Sequence, residues 1–234
     1  MPLASDLLAL RDRAMAELVA AHDYYTDTRV AWRIVGKVVK GGRHFVKRNQ
    51  VTGTQTSETE LVAKAGGYIK RELAQATFQQ FISIFESFFF DLLRLWLTAF
   101  PQNLIGKKVD FKTILDAPDK DAIVQFTIGK ELNEVLYERP AEWFAYLEDK
   151  VKLGCPAADE IDRIAEAKAC RDALVHNRGV ASKIYVSKSG RFARYQEGEI
   201  MDIPEPYHRG IWELFRKVVA EVSNAALAKA PLAA

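Results

Sequence analysis

Most of this chain shows the spacing of hydrophobic residues that is typical of helices. Hydrophobic residues recur every three or four positions over residues 3–25, which predicts an N-terminal helix. The capping pattern Ser57-Glu58-Thr59-Glu60 predicts the start of a second helix, and Pro101 predicts its end near residue 100. Over residues 81–90 this helix is hydrophobic around most of its circumference, which is typical of a helix inside a bundle.

Further helices and two hairpins are predicted along the rest of the chain. The helices cover about residues 119–137, a segment that begins at Pro140, about residues 158–177 and about residues 206–229. β-Branched and aromatic residues also flank Gly41-Gly42 and Ser189-Gly190. This pattern predicts two small hairpins, one from residues 30–35 and 43–48 and the other from residues 184–186 and 192–195.

These elements together predict a mainly α fold, a helical bundle with small β-hairpins at its periphery. We expect residues 1–57 to form an N-terminal helix and a basic β-ribbon extension, and residues 58–234 to form the helical domain. The chain has 234 residues, of which 49% are hydrophobic and 27% are charged, so it is long enough to bury a sizeable core.

The composition argues against several classes of protein and site. Cys155 and Cys170 have neither metal-ligand nor disulfide spacing, and the four histidines are scattered, so we expect no metal and no cofactor. Charged residues interrupt both the apolar stretch of residues 81–100 and the N-terminal residues, so we expect neither a membrane span nor a signal peptide. The cytoplasm is therefore the expected location.

Positive charge is concentrated in one segment near the N-terminus. Seven Lys and Arg residues and no Asp or Glu lie between Thr28 and Ser57. Such a segment favours contact with a polyanion, and Arg43, Lys47 and Arg48 are its predicted RNA-binding residues. The alternative is an exposed ribbon whose lysines keep its edge soluble.

The end of the helix predicted over residues 158–177 carries the main candidate chemistry. Arg171, Asp172 and His176 lie there, before Gly179, which suits the positive φ of a helix C-cap. An arginine can bind a phosphodiester, and a histidine that titrates near neutral pH can move a proton beside it. Asp172 and His176 are four residues apart, so their side chains can meet.

Arg171 and His176 are less simply related. They are five residues apart and diverge by about 140° around an ideal helix. One phosphate can contact both side chains only if the helix end is distorted, or if a two-fold axis brings a second copy of the helix alongside. The purely structural alternative is an ion pair between helices, with a hydrogen-bonded histidine beside it.

The residues at this helix end resemble a known signature. Residues 171–180 resemble the arginine-to-histidine motif of HEPN-domain proteins. The continuation Val175-His176-Asn177-Arg178-Gly179, followed by Tyr185, looks like the branch labelled RiboL-PSP-HEPN. The upstream Phe85-Glu86-Ser87-Phe88 is similar to the first core helix of that branch. The resemblance covers about residues 59–229, and the family most often has asparagine where this chain has Asp172.

The resemblance implies a helical bundle that is commonly dimeric through the two motif helices. Many family members are metal-independent endoribonucleases that serve as toxins, in phage defence or in RNA processing. For this chain the resemblance implies that Arg171 and His176 are catalytic, with Asp172 and Asn177 as supporting residues, Glu86 as the partner of Arg171 across the helix pair, and Arg178 as a further RNA-binding residue.

The function expected from the resemblance is cleavage of RNA by its own 2′-OH, which leaves 2′,3′-cyclic phosphate ends. The expected partners are RNA, a second copy of the chain as a homodimer, and an antitoxin or a defence-system protein. The alternative is a non-catalytic, dimeric HEPN-like module that binds RNA, a nucleotide or another protein.

Overall fold

The computed structural model describes residues 3–42 and 47–230 of the chain, and most of these residues are helical. The α-helices are α1 (Leu3–Lys40), α2 (Glu58–Gly67), α3 (Leu73–Ala99), α4 (Phe111–Asp116), α5 (Lys120–Leu136), α6 (Pro140–Val151), α7 (Ala158–His176), α8 (Lys183–Ser189) and α9 (Glu205–Lys229). The prediction of a mainly α fold is therefore confirmed. Within the two described ranges, no helix has both the length and the apolar character that crossing a membrane requires.

A π-helical turn, Tyr68–Glu72, joins α2 directly to α3, so that the two form one continuous helix. In this turn the N–H of Leu73 donates to the carbonyl of Tyr68, five residues earlier rather than four. The predicted cap at the start of α2 is confirmed, because the Ser57 hydroxyl accepts a hydrogen bond from the N–H of Glu60 at 3.2 Å.

Helix α3 lies at the centre of the bundle because most of its residues form a broad buried face, and a narrow stripe that includes Ser83 and Ser87 stays exposed. Helices α1, α5, α7 and α9 all pack against it. The ring of Phe85 stacks on Phe215 of α9 with ring centroids 4.5 Å apart, and Phe89 meets Phe144 of α6 edge-on at 5.1 Å. The apolar residues of 81–90 therefore lie inside the bundle as predicted, whereas Ser83 and Ser87 are exposed on its surface.

Helix α1 belongs to the same hydrophobic core. Its residues Leu7, Leu10, Ala14 and Leu18 are buried at helical spacing, and the helix packs against α3 and α9. The indole N–H of Trp212 in α9 donates to the carbonyl of Leu18 at 3.0 Å. The first part of the chain is thus held in the bundle by both apolar and polar contacts.

The predicted strand over residues 30–35 is wrong, because these residues continue α1 as far as Lys40. Trp32 lies beside Tyr68, with ring centroids 6.3 Å apart, and a side chain at Gly36 would meet Val62 of α2. Packing of α1 against α2 therefore outweighs the β propensity of this segment, which depends on context rather than on the backbone alone.

The glycine pair Gly41-Gly42 ends α1 instead of forming a hairpin turn. The N–H of Gly41 donates to the carbonyl of Lys37 at 2.9 Å, and Gly42 has a φ of 81°. A different hairpin follows, in which β1 (Lys47–Arg48) pairs antiparallel with β2 (Gln55–Thr56). The remaining residues of the predicted second strand, 43–46, lie outside the described ones.

The second predicted hairpin is also wrong. Residues 184–186 belong to α8, and Gly190–Phe192 forms a 3-10 turn. The hydroxyl of Ser182 caps α8 by accepting a hydrogen bond from the N–H of Tyr185 at 3.2 Å. The ring of Tyr185 is buried, and its hydroxyl donates to Glu166 of α7 at 2.8 Å, so a contact distant in sequence favours the helix.

A buried histidine joins α1, α3 and α9. His208 is fully buried, its Nε2 lies 2.8 Å from Oγ1 of Thr77, and its ring stacks on Tyr25 with centroids 4.0 Å apart. Burial lowers the pKa of His208 to about 3, and the nearby positive charges of His22 and Arg29 act in the same direction. The fold therefore accommodates the neutral imidazole.

We expect His208 to make the fold sensitive to acid. In the unfolded chain its pKa returns to the ordinary 6.5, so below that pH the unfolded state takes up a proton that the folded state does not. This lowers the free energy of unfolding between pH 6.5 and about 3, by up to about 1.4 kcal/mol per pH unit.

Urea unfolding of the wild type and His208→Gln, from about pH 7 down to about pH 4.5, measures this contribution. The variant is expected to lose stability less steeply as the pH falls, whatever its stability at neutral pH. Parallel curves for the two proteins would show that His208 is not the group responsible.

Candidate functional site

The candidate site lies at the C-terminal end of α7, whose bounds agree with the predicted helix. After His176, both Arg178 and Gly179 have positive φ, 54° and 74°, so the predicted left-handed conformation at Gly179 is confirmed. The side-chain amide of Asn177 donates to the carbonyl of Val180 at 2.6 Å, which holds this turn. The chain then enters α8, which packs back against α7.

Four charged side chains form a cluster between α3 and α7. Nη2 of Arg171 lies 2.5 Å from Oε2 of Glu86, and Nζ of Lys168 lies 3.0 Å from Oε1 of the same carboxylate. Asp172 adds a second acid, 3.3 Å from Nη1 of Arg171 and 3.7 Å from Nζ of Lys168. The two positive charges are thus matched by two negative charges, as a partly buried site requires.

This cluster also reaches a third helix. Nζ of Lys168 lies 5.3 Å from the centroid of the Trp143 ring in α6, within the range of a cation–π contact. Lys168 of α7 therefore contacts both Glu86 of α3 and Trp143 of α6. The contact between Glu86 and Arg171 that the sequence predicts is present.

His176 lies apart from this cluster. It is exposed and lines a cleft of about 390 Å³ between α7 and α8, together with Asp172, Asn177, Tyr185 and Lys188; this is called the His176 cleft below. The imidazole of His176 makes no hydrogen bond to any residue in 3–42 or 47–230. The side-chain contact with Asp172 that the spacing allowed is therefore not formed. Asp172 turns instead towards the two cations.

One chain does not bring all the predicted site residues together. Asp172 and His176 line the His176 cleft, whereas Arg171 is not among its lining residues and is bound to Glu86. Arg178 is exposed in the turn that follows α7.

The basic segment is only partly described. Arg48 is exposed in β1, in the hairpin that precedes α2. Lys47 pairs through its backbone with Thr56 of β2. Arg43 lies outside the described residues.

A buried polar network adjoins the cleft through Tyr185. The carboxylate of Glu166 in α7 accepts hydrogen bonds from the hydroxyls of Tyr185 at 2.8 Å and Tyr207 at 2.5 Å, and from Nε of Arg194 at 3.1 Å. The Tyr185 hydroxyl is thereby fixed on Glu166. Burial raises the pKa of the neighbouring Cys170 thiol to about 12, so this cysteine is not a nucleophile at neutral pH.

The residues that sequence reasoning missed are Lys168, Glu166 and Lys188. Lys168 could have been found, because it is four residues from Asp172 and three from Arg171 on one helix. Lys188 gave no such signal, because its segment was assigned to a hairpin. In the described part of the chain, no group of three or more His, Cys, Asp or Glu residues is arranged to hold a metal ion.

Comparison with known proteins adds no relative of this chain. No protein-family model matches it, and neither the curated proteins nor the solved structures contain a significant match.

We expect Glu86 to contribute to stability through the two cations that it compensates. Glu86→Gln leaves Lys168 and Arg171, each with a side chain 19% exposed, without that carboxylate. The expected loss in the free energy of unfolding is about 1–3 kcal/mol, measured by urea denaturation.

Asp91→Asn is the matched control, because Asp91 also lies on α3 and pairs with Arg13 of α1 at 2.7 Å. That pair is 46% and 57% exposed, so its loss is expected to cost less than about 1 kcal/mol. Equal effects of the two substitutions would contradict the role given to Glu86.

Proposed function

We propose that the protein is a metal-independent endoribonuclease of the HEPN type. In this proposal two copies pair through the ends of α7, His176 moves a proton and Arg171 binds the scissile phosphate. The signature Arg171-Asp172-Ala173-Leu174-Val175-His176 supports the assignment, together with the mainly α fold in which α7 and α3 meet through Arg171 and Glu86.

The observation that carries the proposal is the position of His176. Its imidazole is exposed at the end of a helix, beside a cleft of about 390 Å³, and makes no hydrogen bond to a described residue. A histidine in this position has a nitrogen available to accept the proton of a ribose 2′-OH, or to donate one to the 5′-oxygen that leaves. Such proton transfer usually contributes about 10²–10⁴-fold to a rate.

The reaction draws its nucleophile from the substrate. The 2′-oxygen attacks phosphorus, the bond from phosphorus to the 5′-oxygen breaks, and the products are a 2′,3′-cyclic phosphate and a 5′-hydroxyl. Because no water has to be activated, the step proceeds without a metal ion. DNA is not cleaved, since it lacks the 2′-hydroxyl.

Arg171 stabilises the charge that develops on the phosphate. A guanidinium has five N–H donors, and Glu86 and Asp172 engage only some of them. Because Arg171 does not line the His176 cleft of its own chain, a second copy related by a two-fold axis supplies it to that cleft. The homodimer is therefore part of the proposal.

The proposal also includes the setting of the reaction. RNA is the partner, bound with the help of Arg43, Lys47, Arg48 and Arg178, and the reaction takes place in the cytoplasm. The resemblance to HEPN nucleases favours a role as a toxin or in phage defence, with an antitoxin or another defence-system protein that restrains the activity.

One observation favours a second function. Glu86 and Asp172 balance the charges of Lys168 and Arg171, in side chains that are only 18–28% exposed. An arginine matched in this way serves the packing of α3 and α7 without any substrate. The second candidate is therefore a dimeric module that binds RNA, a nucleotide or another protein and does not cleave.

Incubation of purified protein with labelled RNA in EDTA distinguishes the two functions. We expect the wild type to produce cyclic-phosphate ends, His176→Ala to lower the rate by about 10²–10⁴-fold, and Arg171→Ala to lower it by about 10²–10³-fold. Ile105→Ala, which truncates an exposed side chain between α3 and α4 and outside the motif helix, is the control and is expected to cleave like the wild type.

Three results would overturn the nuclease: inhibition by EDTA, cleavage of DNA, or full activity of His176→Ala. Intact RNA after incubation with the wild type, with binding retained, would favour the non-catalytic module. Circular dichroism of Arg171→Ala separates loss of a phosphate contact from loss of the fold.

A further inference from the structure

The His176 cleft contains a cation that the resemblance does not assign. Lys188 lines it from α8, while Asp172 and His176 line it from α7. Of the described residues that line this cleft, Lys188 alone carries a permanent positive charge. It is exposed, and it makes no ion pair with another described residue.

The acid in the same cleft does not cancel this charge. The carboxylate of Asp172 lies 3.3 Å from Nη1 of Arg171 and 3.7 Å from Nζ of Lys168, so its own charge is already compensated by the cluster with Glu86. An anion that enters the cleft therefore meets the ammonium of Lys188.

Apart from His176, the other polar side chains of the cleft are engaged within the protein. Tyr185 is buried, and its hydroxyl is bound to Glu166 at 2.8 Å. The hydroxyl oxygen of Ser182 accepts the hydrogen bond that caps the N-terminus of α8. Within one chain, recognition of a negative charge in the cleft thus depends on Lys188.

We propose that Lys188 binds the phosphodiester of an RNA strand whose ribose lies beside His176. The proposal rests on the ribonuclease function for its substrate class, and it adds a phosphate contact from the same chain as the proton-transfer group. Arg171, bound to Glu86 outside this cleft, does not supply that contact within one chain. A lysine is suited to the task, because its ammonium acts as a point charge that donates to phosphate oxygens from several directions.

Lys183 provides a matched control. It is also an exposed lysine of α8, but it lines a different cleft, of about 630 Å³, with Arg194 and Tyr195. Lys183→Ala and Lys188→Ala therefore remove the same charge from the same short helix, on different sides. Lys188→Arg keeps the charge and serves as the conservative variant.

The first measurement is the affinity for a 2′-O-methyl oligoribonucleotide over a series of salt concentrations. This probe has no free 2′-OH, so it reports binding whether or not the protein cleaves RNA. We expect Lys188→Ala to weaken binding about tenfold at low salt and to reduce the slope of log Kd against log salt by about 0.7, the loss of one phosphate contact to a single strand. Lys188→Arg and Lys183→Ala are expected to bind like the wild type.

The second measurement is the cleavage of the unmodified oligoribonucleotide in EDTA. We expect Lys188→Ala to raise KM more than it lowers kcat, since the ammonium positions the phosphate and does not transfer the proton. Binding that depends on Lys188 without any cleavage would refute the nuclease and keep the phosphate contact. Equal binding by Lys188→Ala and Lys183→Ala, or no binding by the wild type, would overturn the role of Lys188.

Discussion

The structure depends on one constraint, which is that the broad apolar face of α3 must be covered by other helices, while a narrow polar stripe that includes Ser83 and Ser87 stays exposed. Helices α1, α5, α6, α7 and α9 provide that cover, and α6 and α9 do so with aromatic rings that meet Phe89 and Phe85 of α3. Glu86 lies at the edge of the buried face with its side chain 18% exposed, and the helix packed beside it, α7, supplies the two cations that pair with it. These ion pairs help to hold α7, and hence its C-terminal end, against α3.

Much of the helical architecture could be predicted because its boundaries depend on neighbouring residues. Ser57, Pro101 and Pro140 mark helix ends through local hydrogen bonds and ring geometry, and the structure places the ends there. The two hairpins failed for the opposite reason. The segments around Trp32 and Tyr185 have β propensity but form helices, since their side chains pack on α2 and on Glu166, and those partners are distant in sequence.

The candidate site was predictable to the same degree. Helical spacing gives the face on which Arg171, Asp172 and His176 lie, but it does not decide which of several reachable partners each side chain takes. Asp172 binds two full positive charges in preference to an imidazole, because charge-assisted contacts are the stronger ones. The place of Lys188 in the cleft could not be predicted from helical spacing, since it depends on the packing of α8 on α7.

The π turn between α2 and α3 makes the fold sensitive to the number of residues in that segment. A π turn accommodates one residue more than an α-helical turn, and the hydrogen bond from Leu73 to Tyr68 marks where that residue is absorbed. Deleting a single residue from Tyr68–Glu72 would restore an ordinary helix and rotate α2 by about 100° relative to α3. Val62 would then leave Gly36, and α1 would lose the surface on which its second half rests. A surface loop can usually gain or lose a residue without effect on the helices around it. In this turn the same change would misalign α2 and α3.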